Sequence, residues 1–154
     1  MLAAACALLG VNPTTGTLPP SATVIAQCSV TGASSLAFGA YDPIVANRST
    51  NLDVAPNALS ISCTRGAPSV TVALDLGANA TGSTRRMISG ANFLTYEIYT
   101  TAARTIVWNA VNTVSYASTT MAASTLPVYG RVSSGQDPAI GASYGDTITA
   151  TVNF

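Results

Sequence analysis

Few side chains in this chain are of a kind that does chemistry, and their spacing narrows the choice further. Histidine is absent, which removes the Ser-His-Asp and Cys-His nucleophile pairs, a histidine general base and any histidine metal site. Six carboxylates remain. Asp42, in Tyr41-Asp-Pro43, and Asp146, between Gly145 and Thr147, could form a paired-carboxylate hydrolase. Each is expected instead to serve a turn or strand entry, its carboxylate accepting local backbone N–H groups. Arg85-Arg86 has the make-up of an anion-binding pair, but a turn arginine that packs against or bonds nearby carbonyls is the commoner case. Tyr96, Tyr99 and Trp108 have faces to stack a sugar, yet aromatic residues beside loops are expected in the core. Asn47-Arg-Ser49 and Asn79-Ala-Thr81 match the glycosylation triplet and are expected to be chance matches in a Ser/Thr-rich chain. No constellation carries catalysis, so the expectation is a non-enzyme without a cofactor.

Of three cysteines, Cys6 lies in an apolar start, while Cys28 and Cys63 each end a β-like run, 22–28 and 58–63. The pair points to one disulfide and an oxidising compartment; closing a loop of about 35 residues contributes about 3–4 kcal/mol in the chain-entropy model. Two free buried thiols are the alternative. No CxxC or Cys/His spacing exists for structural zinc. Charged residues make up 8%, six arginines balance six acids, and lysine is absent. That excludes the basic footprint of a nucleic-acid binder and the positive face of a peripheral membrane protein.

The elements that position these residues follow from composition and period. Hydrophobic residues are 48% of the 154, yet Glu, Lys and Gln, which cover helix surfaces, are nearly missing, while Thr, Ser, Val, Ala and Gly dominate. One domain of class all-β is expected at this length. Period-two alternation recurs. Leu59, Ile61 and Cys63 alternate with serines; Val70, Val72, Leu74 and Leu76 with Thr71, Ala73 and Asp75; Leu94, Tyr96 and Ile98 with Thr95, Glu97 and Tyr99. Leu126, Val128 and Val132 follow, and Ile148, Ala150, Val152 and Phe154 alternate with Thr147, Thr149, Thr151 and Asn153. Turn chemistry lies between, at 41–43, 64–68, 77–83, 89–92 and 133–138. Seven or more strands at this spacing predict an antiparallel sandwich with Greek-key connections.

Residues 1–13 open with the apolar run 1–10, sited where the core of a secretory signal belongs but without a basic start, and are assigned as a signal-peptide remnant or leader. The run is too short to span a bilayer, and Ala3 stands where a lipoprotein signal at Cys6 needs leucine. Residues 14–26 then form an amphipathic stretch with Leu18, Pro20, Ala22 and Val24 on one side and no turn before Cys28. It is a strand without an obvious partner: a long first strand, a disordered leader, or a strand donated to a neighbouring molecule. A β protein with no lysine to guard its edges has a physical motive for the last.

Taken in order, Cys28-Ser-Val30, Leu36-Ala-Phe-Gly-Ala-Tyr-Asp-Pro43, Leu59-Ser-Ile-Ser-Cys63, Arg85-Arg-Met87, Leu94-Thr-Tyr96, 99–104, Trp108, Val128-Tyr-Gly-Arg131, Gly135-Gln136 and 144–147 through Val152-Asn-Phe154 resemble the spore coat protein U domain family. That family includes the major subunits of archaic (Csu-type, sigma-class) chaperone–usher pili. The resemblance implies an incomplete immunoglobulin-like antiparallel β-sandwich over 27–154, completed by a donor strand from a neighbouring subunit. A periplasmic chaperone would fill the groove first, and the N-terminal extension of the next subunit would replace it at the outer-membrane usher. Residue by residue, 14–26 become the donor extension with Leu18, Pro20, Ala22 and Val24 as plugs. Ile148, Ala150, Val152 and Phe154 become the acceptor groove, and Cys28 and Cys63 the family disulfide. Pro19 and Pro20 depart from an ideal inserted strand, since each lacks an N–H. The implied function is a pilin, exported through the periplasm, that polymerises with copies of itself into a surface pilus supporting adhesion and biofilm formation. It would need neither nucleic acid nor a small-molecule substrate. A non-pilus coat or envelope protein of the same fold, and a small carbohydrate-binding sandwich, are the alternatives.

Overall fold

The structure, a computed structural model, describes residues 15–31, 35–54, 57–141 and 143–154. The leader assigned to 1–13, with Cys6, and Thr14 lie outside the described residues. Among those described there are nine strands and no helix: β1 (Cys28–Thr31), β2 (Leu52–Asp53), β3 (Asn57–Cys63), β4 (Thr71–Leu74), β5 (Arg85–Ser89), β6 (Asn92–Tyr99), β7 (Val114–Ser115), β8 (Ser124–Val132) and β9 (Ala150–Asn153). The larger sheet runs β1-β3-β8-β6-β5, with β2 also on β8; the smaller runs β7-β4-β9. All pairs are antiparallel. β8 changes partners along its length, with Ile61 opposite Ser124 and Asn57 opposite Val128 on β3, then Tyr99 opposite Tyr129 and Glu97 opposite Arg131 on β6.

The alternating residues become the core because a strand turns every second side chain to one face. Leu59, Ile61 and Cys63 from β3, Val72 and Leu74 from β4, Leu94, Tyr96 and Ile98 from β6, and Leu126, Val128 and Val132 from β8 pack in one cluster with Val70, Met87 and Trp108. Trp108 has no exposed surface and ties the sheets together. Its main-chain N–H donates to Ile98 O and its Nε1 to Val72 O, both at 2.8 Å. The Cys28–Cys63 disulfide joins β1 to β3 at directly opposed positions.

Two stretches depart from expectation. Residues 22–27, expected to run as a strand into Cys28, have no ladder and no regular structure; pairing starts at Cys28, where β3 first offers a partner. Arg85-Arg86, expected in a turn, lies in β5 opposite Tyr96 and Thr95. A buried arginine at an inward position hides the period that would have revealed this strand.

Candidate functional site

The two sheets leave an opening along one side. Between segment 35–43, which follows β1, and the C-terminal segment 138–150 lies an apolar cleft of about 1230 Å³. Its floor is the core itself: Leu59, Leu74, Met87, Leu94, Tyr96, Ile98, Val128 and Val132 line it.

Each wall is a segment short of a partner. On the C-terminal side, Thr149 O and Thr147 O accept from Asp75 N and Ala78 N, each at 3.0 Å, so the odd-numbered positions aim their main chain toward β4. Alternation turns the main-chain groups of Ile148, Ala150 and Val152 the other way. Among the described residues no strand pairs with β9 on that side. On the opposite side, Leu36 and Phe38 are half-buried on the core, Phe38 edge-on to Tyr96 with ring centroids 5.8 Å apart. They cover Gly130, where a Cβ would come within 2.8 Å of both side chains. Among the described residues no hydrogen bond reaches the main chain of 36–40. A strand laid in the cleft would therefore meet unpaired main chain on either hand, the arrangement that strand addition uses.

Of the four residues expected to form the groove, Ile148 and Ala150 line the cleft. Val152 is half-buried against the core outside that lining, and Phe154 is 52% exposed. The expected donor residues lie elsewhere. Leu18, Pro20, Ala22 and Val24 are all exposed, Leu18 at 92%, on an arm (15–26) without regular structure, and none of them lines the cleft of its own chain. Thr64 pins the root of this arm. Its N–H donates to Gln27 O at 2.8 Å, its hydroxyl donates to Ile25 O at 3.1 Å, and the hydroxyl oxygen accepts from Gln27 N at 3.1 Å. The arm carries no charge, and among the described residues the only charged side chains lining the cleft are those of Asp42 and Asp146.

Asp42 closes its own turn as expected, Oδ1 accepting from Ile44 N and Val45 N at 3.0 Å each. The N–H groups of Val45 and Ile44 hold its carboxyl below the usual carboxylate range. Asp146 corrects the expectation, because its partners are distant in sequence. Oδ2 accepts from the Tyr96 hydroxyl at 2.8 Å, and Oδ1 from Asn79 N at 3.1 Å and Asn79 Nδ2 at 2.9 Å. Burial, reinforced by this bond, pushes the Tyr96 hydroxyl far above its ordinary pKa, so it remains a donor. Each of the two carboxylates is taken up by the hydrogen-bond donors named.

The remaining candidates are structural. Arg85, fully buried, donates Nε and Nη2 to Asp75 O and Nη2 to Trp108 O at 2.7 Å, with Nη1 3.7 Å from Glu97 Oε2. It bonds carbonyls as expected, but from inside the core. Burial pushes the Glu97 carboxyl up against the opposing pull of Arg85. Arg86 donates to Asn79 O at 3.0 Å and lies 4.1 Å over the Phe93 ring. Trp108 is fully buried, Tyr96 is buried in the floor of the cleft, and Tyr99 sits half-buried opposite Tyr129. Asn47 is 5% exposed and holds Asp42 N and Thr50 O through its amide, and Asn79 is engaged by Asp146.

Three similarities bear on this geometry. The model of the Spore Coat Protein U domain matches residues 14–151. Protein U of Myxococcus xanthus is 32% identical over 169 aligned positions, covering 98% of this chain and 93% of that one. The crystal structure of the CsuC–CsuE chaperone–tip adhesion subunit pre-assembly complex, from archaic chaperone-usher Csu pili of Acinetobacter baumannii, matches with a TM-score of 0.55 at 20% identity. That match covers 86% of this chain and 40% of the other, and at that identity the likeness is one of fold. The expected class, an all-β immunoglobulin-like sandwich, is the class found.

Proposed function

Because the chain belongs to the Spore Coat Protein U domain family, we propose that it is a structural subunit that polymerises by donor-strand complementation into a surface pilus. Family and fold are those of coat and pilus proteins rather than of enzymes. One observation supports the reading above the others: a single chain holds both an apolar cleft with unpaired main chain on each wall and an uncharged arm whose alternate apolar side chains are exposed. In this reading Leu18, Pro20, Ala22 and Val24 of one copy enter the cleft of the next, alongside Ile148 and Ala150. Alternate side chains reach the floor while the main chain bonds to both walls, which supplies affinity and register together. Pro19 and Pro20 each forgo one ladder bond, and in return stiffen the free arm so that less entropy is lost on insertion. Residues 14–26 are then the donor and 27–154 the acceptor domain. A periplasmic chaperone would occupy the cleft during export, an outer-membrane usher would catalyse the exchange, and the filament would serve attachment and biofilm formation.

Gel electrophoresis of the exported protein, with and without boiling and beside a variant lacking 14–26, tests the proposal. The expected result is an SDS-resistant ladder that collapses on heating and is absent from the deletion, because a filled sandwich unfolds slowly. A heat-insensitive monomer from both would overturn it. That outcome would favour a coat protein complete within one chain, a second reading supported by the match to Protein U along nearly the whole of both chains.

A further inference from the structure

Asp146 sits where the C-terminal segment crosses from one sheet to the other. Immediately before it, Gly145 exchanges both main-chain hydrogen bonds with Ile88 on β5, the edge of the larger sheet, at 2.9 and 3.1 Å. Immediately after it, Thr147 and Thr149 accept bonds from the β4 side of the smaller sheet. The carboxylate holds one group from each. Tyr96, which donates to Oδ2 at 2.8 Å, belongs to β6; Asn79, which donates twice to Oδ1, lies in the turn that follows β4. No arginine pairs with this carboxylate among the described residues. Gly77 leaves the space it occupies. At φ +88, a Cβ there would fall 2.1 Å from Asp146 Oδ2 and 3.0 Å from Ile148 Cδ1. Tyr96 belongs to the floor of the cleft and Ile148 to its wall, so one carboxylate touches the support of both.

We infer that Asp146 is a positioning residue for strand uptake: by clasping Tyr96 of the floor to Asn79 beside the wall, it sets the spacing of the sheets at that end of the cleft and so seats Ile148 and Ala150 for an incoming strand. The inference rests on reading the cleft as a strand acceptor. A strand received between two walls must meet each at about 4.8 Å. A wall displaced by about an ångström stretches its N–H···O contacts beyond hydrogen-bond range and forfeits the ladder on one side. Charge-assisted bonds, about twice as strong as neutral ones, suit the task of holding such a spacing.

The test uses the freshly refolded chain, a labelled synthetic peptide of residues 14–26, and the variants Tyr96→Phe and Gly77→Ala. Peptide affinity is read by anisotropy, and the thermal midpoint is read with and without saturating peptide. Tyr96→Phe keeps the ring and removes only the donor; it is expected to bind the peptide about tenfold more weakly and to gain less in midpoint on filling than the parent chain does. Gly77→Ala, whose added Cβ would fall on the oxygen that accepts from Tyr96, is expected to do the same, and if it fails to fold Tyr96→Phe decides alone. A merely architectural role would lower the empty and filled midpoints equally and leave the affinity unchanged, which overturns the inference. A parent chain that does not bind the peptide at all overturns instead the acceptor reading beneath it.

Discussion

The arm at 15–26 and the C-terminal segment at 147–153 look alike as sequence and end differently as structure. Both alternate apolar with small polar residues and both lack charge. The C-terminal segment finds β4 on one side, and Ile148, Ala150 and Val152 turn inward against the core. Among the described residues the arm's hydrogen bonds are those to Thr64 at its root, and its apolar residues stay exposed. Alternation specifies a face, whereas a ladder also needs a neighbour with free main chain. In this molecule the free main chain lies along the cleft, which the arm of the same chain does not enter.

The most severe way to strain that comparison is to remove the domain that anchors both segments. Trp108→Ala deletes a fully buried ring and the Nε1 bond to Val72, and is expected to cost about 3–5 kcal/mol in denaturant melts. Hydrogen exchange should rise across 147–153 and stay unchanged in the arm, which has no protection to lose. Replacing both Cys28 and Cys63 by serine opens the loop between β1 and β3, with an expected loss of about 3–4 kcal/mol. Reducing agent should then shift the melt of the parent chain and not that of the double variant.

A matched pair of substitutions sharpens the comparison directly. Ile148→Ser exposes a half-buried contact and is expected to destabilise the monomer by about 1–2 kcal/mol, while Val24→Ser, already in solvent, should stay within about 0.5 kcal/mol. Equal losses in monomer melts would mean that the arm packs on its own domain. The smallest effect concerns pH. Arg131 forks onto Asp53 at 2.7 and 2.9 Å and holds its carboxyl below the usual range. Asp53 takes up its proton less readily folded than unfolded, so its contribution is full above about pH 4 and is lost as pH falls below that. At this largely solvated site it amounts to at most about 0.5–1 kcal/mol, and Asp53→Asn should flatten that part of the stability profile.

Strands β3, β4, β6, β8 and β9 were legible because each has one face in the core, which imposes period two on its own residues. Most of the floor of the cleft is legible for the same reason, being made of inward residues of β3, β4, β6 and β8, with Met87 of β5 the exception. Its other wall is not: 35–43 has no ladder, so only Leu36 and Phe38 mark it, and two apolar residues are too few to set a period. The Gly-Asp-Thr setting of Asp146 suggests local bonding, while its partners stand 50 and 67 positions away. β5 is hard to read because one of its two inward positions is Arg85, whose Nε and Nη2 bond Asp75 O and Trp108 O, carbonyls that no local pattern announces. Of the four positions that the resemblance places in the groove, Ile148 and Ala150 line the cleft, while Val152 and Phe154 lie outside that lining.

The absence of charge from the arm has a kinetic corollary. A segment with no ionic groups generates no long-range field, so nothing steers its encounter with another surface and nothing is screened when salt is added. Capture of the arm should proceed at a rate indifferent to ionic strength, governed by diffusion and by how often the segment presents an extended shape.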